Sequence, residues 1–123
     1  MNITVLNEAE FKALKPKEKK AYFDKLMQAA KENQVEASRA RNGQTQGNAF
    51  LWISLFGKDA ISRSFRTYVK NHTPNKLLKN YRGTTNAWYF GSQSNLGVYD
   101  GLKALAAKLN SFGIPAYVCD EWD

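Results

Sequence analysis

Arg63, Arg66 and Lys70 stand at i, i+3 and i+7, a spacing that puts three cations on one face of a helix. The chemistry open to such a row is electrostatic: it can neutralise phosphates or dock on a carboxylate-rich surface. Arginine at two of the positions favours phosphate, because a planar guanidinium makes two parallel hydrogen bonds. Ser62, Ser64 and Thr67 add hydroxyls within the same segment. Lys76, Lys79 and Arg82 continue the positive run beyond Thr73-Pro74, and Arg39 and Arg41 precede it. These eight basic residues are the expected contacts with nucleic acid or a partner, converging on one electropositive surface. A basic helix, a break and a second basic segment invite comparison with helix-turn-helix readers, but the spacing does not define that motif.

Bond-making chemistry has fewer candidates. General acid–base work would fall to His72, the single histidine, with acids such as Asp59, Asp100 or Asp120. A ribonuclease built on His72 would need Lys70, Arg66 or Arg82 to stabilise a phosphorane. The commoner role for one histidine at a helix end is a cap or a surface residue. Asp120, Glu121 and Asp123 form an acidic run beside Trp122, read as a solvated end or a contact for a partner rather than a cation site. Cys119, the single cysteine, closes an apolar segment and reads as buried; alone it allows neither an internal disulfide nor a CxxC metal knuckle. Walker, GxGxxG and GxSxG signatures are missing. Gly91-Ser-Gln-Ser-Asn-Leu-Gly97 before a helix offers only a weak anion site. No catalytic residue, metal or cofactor is assigned.

The aromatic residues allow two readings. Phe50, Trp52 and Phe56 alternate along one apolar run, and Trp88-Tyr89-Phe90 form another. Alternate residues of a strand face opposite ways. Most of these rings suit a core, but on an open sheet face Trp88 and Phe90, or Tyr89, would stack bases. Tyr81 and Tyr89 are the better exposed candidates, because their hydroxyls need polar partners.

Charge distribution sharpens the electrostatic reading. The net charge of +7 is gathered in the middle of the chain. Residues 37–95 hold nine cations, including all five arginines, against Asp59 alone. Residues 1–36 hold seven lysines against six acids, and residues 96–123 hold two lysines against four acids. Like charges on a compact body repel, a cost that a polyanionic partner offsets.

The elements that must position these residues follow from patterning. Asn7 with Glu10 is a capping box, opening a short helix with Phe11 and Leu14. Pro16 suits the first turn of the next helix, in which Tyr22, Phe23, Leu26, Met27 and Ala30 keep helical spacing to about residue 35 or 41. Residues 42–48 are polar with two glycines and read as a mobile loop. Residues 50–56 read as a central strand covered on both faces. A helix from Asp59 to about Asn71, a shorter helix from Asn75 to Tyr81, a turn at 82–86 and a strand at 87–90 follow. Residues 91–95 read as a second loop. Val98, Leu102, Leu105, Leu109 and Phe112 make a helical stripe that Gly113, Ile114 and Pro115 terminate. Residues 116–119 close the chain as a strand, parallel to the one before the helix.

The 123 residues therefore predict one domain over 1–123 of α+β class, or small α/β. A helical part (1–41) packs on a sheet of about three to four strands within a mixed part (49–123), which ends in a strand-helix-strand unit. The longest apolar run is far shorter than the 20 or so residues a bilayer needs, and the opening residues do not resemble a signal peptide, so the expected location is cytoplasmic. The expected function is non-enzymatic binding of nucleic acid, DNA or RNA, or of the channel of a nucleoprotein complex, as regulator or inhibitor. Small size and a basic middle fit the accessory proteins that phages encode, acting in the host cytoplasm. The alternatives are an inhibitor or adaptor docking on an acidic protein surface and, less favoured, the His72-dependent ribonuclease.

Overall fold

A computed structural model describes residues 3–40 and 45–122. The described residues form α1 (Glu8–Lys12), α2 (Pro16–Ala40), β1 (Thr45–Leu55), α3 (Ala60–His72), β2 (Leu77–Tyr81), β3 (Thr84–Asn95), α4 (Leu96–Ser111) and β4 (Ala116–Trp122). The class is α+β. The strands make one antiparallel sheet in the order β2-β3-β1-β4. From β1 onward the chain runs β-α-β-β-α-β, a split β-α-β arrangement of the ferredoxin-like kind, preceded by two helices.

Local chemistry explains most boundaries. The Asn7 side chain accepts the Glu10 amide at 2.8 Å and the Glu10 carboxylate accepts the Asn7 amide at 3.0 Å, closing the capping box. At the end of α4 the Ile114 amide donates to the Leu109 carbonyl and the Gly113 amide to the Asn110 carbonyl, each at 3.0 Å. That is a Schellman ending, and it needs the positive φ of +76° that Gly113 supplies. Residues 3–6 are an extended lead-in.

Alternation along β1 decides the layering. Ala49, Leu51, Ile53 and Leu55 are buried in one core with Phe11, Phe23, Leu26, Phe65, Leu102, Leu105 and Leu109 from the helices. All four helices therefore contribute to the same side of the sheet. α2 and α4 approach closely: a Cβ at Gly101 would lie 3.0 Å from the Gln34 carbonyl oxygen, and the Ser38 hydroxyl donates to the Gly97 carbonyl at 2.7 Å.

Four expectations need correction. Residues 75–81 are not a helix: Leu77–Tyr81 is β2, with Leu77 paired to Trp88 and Leu78 to Ala87. The expected loop at 42–48 gives way to β1 from Thr45, its remainder lying outside the described residues. Residues 91–95 extend β3 rather than forming a loop. β3 and β4 run parallel but do not pair, because β1 lies between them and is antiparallel to both. The most apolar strand takes one of the two interior positions.

Asp59 caps α3 and yields a stability prediction. Its carboxylate accepts the Ser62 hydroxyl at 2.6 Å and the Ser62 amide at 3.1 Å. Burial pushes the Asp59 carboxyl up, but these bonds outweigh it and hold the pKa below the ordinary 3.8. The cap thus stabilises the fold above the ordinary carboxylate range, and that contribution fades as pH falls through the lowered pKa. Asp59→Ala costs about 1–2 kcal/mol at neutral pH. Urea melts should show the gap between variant and wild type narrowing as pH falls below the ordinary carboxylate range; a gap independent of pH would refute the charged cap.

Candidate nucleic-acid interface

α3 carries its apolar residues inward, with Ile61, Phe65, Tyr68 and Val69 buried. The opposite stripe is Arg63, Thr67 and Lys70, all exposed. Arg63 closes a first turn that contains no acid. A cation there opposes the helix dipole. The row of three expected from the sequence is broken at Arg66. That residue is half-buried, and its guanidinium Nη1 donates to the Gly57 carbonyl at 2.7 Å. Ser62 is also withdrawn from any phosphate, being buried and bonded to Asp59.

The remaining basic residues lie on other elements. Lys76 is exposed just before β2, its carbonyl accepting the Tyr89 amide at 2.9 Å. Lys79 is exposed on β2, the edge strand. Arg39 is exposed in the last turn of α2, and Arg41 lies outside the described residues. Among the described residues Arg63, Lys70, Lys76 and Lys79 have no carboxylate partner. By contrast, Lys12 pairs with Glu8 at 3.1 Å and Lys20 with Asp24 at 2.9 Å, each within its own helix.

Arg82 occupies a distinct setting. Tyr81 pairs with Thr84, so Arg82-Gly83 is a two-residue hairpin loop between β2 and β3. Both residues have positive φ, +47° and +82°. Such turns favour Asn-Gly, because a long L side chain is strained in the left-handed region. The Arg82 guanidinium bonds the Tyr81 hydroxyl at 2.9 Å, forms an ion pair with Glu121, and lies 4.6 Å from the centre of the Phe50 ring.

Phe50 belongs to the second face of the sheet. Residues directly opposite in register share a face, which places Phe50, Trp52 and Ser54 of β1 with Glu121, Cys119 and Tyr117 of β4. Tyr89 and Ala87 of β3 join them opposite Trp52 and Ser54. No described element covers this face. Its rings support one another: Trp52 meets Tyr81 edge-on at 5.1 Å, Tyr81 meets Tyr89 at 5.4 Å and Phe56 meets Tyr117 at 5.6 Å. The Trp52 indole N–H donates to the Thr84 hydroxyl at 2.9 Å. Trp52 is almost wholly covered by these neighbours, whereas Phe56 and Tyr117 are 54% and 55% exposed.

Sequence reasoning divided these aromatics only in part. Tyr89 and Tyr81 are on the open face as half-exposed rings. Trp88 and Phe90 are on the helix side, and Trp88 is buried against Phe65 at 6.1 Å. β1 is covered by helices on one face only, contrary to the expectation of two, and Cys119 is half-buried rather than buried. Phe56, Tyr117 and Glu121 were missed as members of this surface. The available signal was that three of the four even positions of 50–56 are aromatic while the odd ones are aliphatic.

The acid–base candidates remain unassembled. His72 is exposed at the end of α3, with its ring 5.3 Å from that of Tyr68, beside a hollow of 230 Å³. The Tyr68 hydroxyl donates to Asp24 at 2.7 Å and holds that carboxyl below its ordinary pKa, with help from Lys20. Arg66 is held at Gly57 and Arg82 at Glu121, so neither is presented to His72. Among the described residues no three His, Cys, Asp or Glu side chains are grouped to hold a metal, and no helix is long and apolar enough to cross a membrane. No family model, curated protein or solved structure matches the chain.

Proposed function

We propose that this protein is a small non-enzymatic regulator or inhibitor that binds nucleic acid, or the nucleic-acid channel of a nucleoprotein complex, through exposed basic side chains. One observation carries the reading: Arg63, Lys70, Lys76 and Lys79 are exposed without an intramolecular carboxylate among the described residues. Cations left in this state repel one another, and phosphates relieve that cost while releasing condensed counterions. The fold itself carries no argument, since one fold hosts many functions.

A salt series tests the proposal. With four phosphate contacts, the logarithm of affinity falls with the logarithm of salt at a slope of about −3. Affinity for DNA or RNA then drops about 50-fold between 50 and 200 mM salt. Affinity that stays flat over this range would refute phosphate contact. A partner protein that stays bound after nuclease treatment, together with that flat response, would instead point to docking on an acidic protein surface.

A further inference from the structure

We infer that the nucleic acid is held as a single strand, its bases stacked on the uncovered sheet face at Phe50, Tyr89 and Tyr117 and its backbone met by Arg82. The inference rests on the nucleic-acid reading above and adds the strand form and the face.

Three observations support it. A sheet face turned to water is ordinarily polar, yet the central positions here are aromatic, and Phe56 and Tyr117 are more than half exposed. From Phe50 to Phe56 an extended chain covers roughly 20 Å, room for a short run of stacked bases, whereas a duplex keeps its base faces inside its own stack and offers none to the rings. The third observation is Arg82. Turn chemistry asks for asparagine at its strained position, so something other than the hairpin favours arginine there. Its guanidinium projects over Phe50, at one end of the ring system.

Charge complementarity selects the occupant. Arg82 lies over Phe50, and the exposed Lys76 is backbone-bonded to Tyr89, so two cations border the rings from the β2 side. Aromatic platforms bordered by cations suit strands with exposed π-faces and a phosphate backbone. Among the described residues Glu121 is the acid that restrains Arg82. A strand on this face therefore competes with Glu121 for the guanidinium. Ring stacking ignores the 2′-hydroxyl, so short DNA and RNA strands bind alike.

Fluorescence anisotropy with labelled oligo(dT), oligo(U) and a duplex of matched length tests this on the full chain. Wild type should bind both single strands at least tenfold more tightly than the duplex. Tyr89→Ala should lose about tenfold for single strands, as removal of one stacking platform does, and leave duplex binding unchanged. Arg82→Asn improves the turn while removing the guanidinium, so weaker strand binding with an undiminished urea midpoint cannot be ascribed to misfolding. Glu121→Gln frees Arg82 and should tighten strand binding several-fold.

Equal affinity for strand and duplex, with Tyr89→Ala, Arg82→Asn and Glu121→Gln all neutral and the salt slope intact, would overturn the inference and leave the broader proposal standing. Absence of binding to any of the three probes would overturn both. A dimer in sedimentation that excess oligo(dT) does not dissociate, and that Tyr117→Ala does dissociate, would assign the face to a second copy of the chain and overturn the inference.

Discussion

Changing Arg63 and Lys70 together to glutamate lowers nucleic-acid affinity by about 10²-fold at 0.1 M salt. Each phosphate contact removed forgoes the release of nearly one counterion, worth close to tenfold per contact at that salt. Reversing the charges adds repulsion to the loss. The fold should not feel the change. Both side chains are exposed on the outer stripe of α3, away from the Ile61, Phe65 and Val69 face. Their effects on the helix dipole also oppose each other: glutamate at 63 gains near the N-terminus about what glutamate at 70 loses near the C-terminus. The urea midpoint should therefore stay within about 0.5 kcal/mol of wild type, while the salt slope flattens by about two. Arg66→Gln is the contrasting variant, because it removes the bond to the Gly57 carbonyl. It should lower stability more than the double reversal does, and affinity less. Affinity of the double variant within twofold of wild type would remove α3 from the interface.

How far the residues announced this arrangement depends on the element. Capping chemistry and the helical stripes act within a few residues, so α1, α2 and the Gly113 ending of α4 could be read directly. β2 could not. Leu77, Leu78 and Tyr81 fit a helical spacing, and the turn that makes them a strand carries Arg82 where the usual signal is asparagine. The polar stretches flanking the aromatic runs became strand because β1 and β3 support each other's ladders as far as Thr45 and Asn95. That pairing is tertiary and leaves no local trace. The charge excess marked α3 and residues 76–82 as basic, but nothing in the spacing shows that 76–82 form a strand and turn, that Arg66 turns back to Gly57 or that Glu121 reaches Arg82. The division of the aromatics is similar. Period two separates Trp88 from Tyr89, and only the placement of the helices decides which of them is buried.

Phe65→Ala should lower stability by about 3–5 kcal/mol, among the largest single losses expected in this chain. The ring is fully buried and meets Phe23 of α2 edge-on at 5.3 Å, Trp88 of β3 edge-on at 6.1 Å and Tyr68 of α3 at 6.0 Å. It therefore ties the N-terminal helices, α3 and the sheet at one point, and removing it leaves a cavity that none of those elements can close alone. A chain of 123 residues has on the order of 6–18 kcal/mol to lose, so the variant gives up a large share of its stability. Phe56→Ala is the informative companion. Its ring is 54% exposed and, among the described residues, pairs with the ring of Tyr117, a contact worth about 1 kcal/mol. If the uncovered face existed only to support the fold, its rings would weigh on the urea midpoint as Phe65 does. A midpoint that collapses in Phe65→Ala and scarcely moves in Phe56→Ala means that the helix side carries the stability. The aromatic residues on the other side are then free to serve a ligand, whereas comparable losses in the two variants would make them a second core.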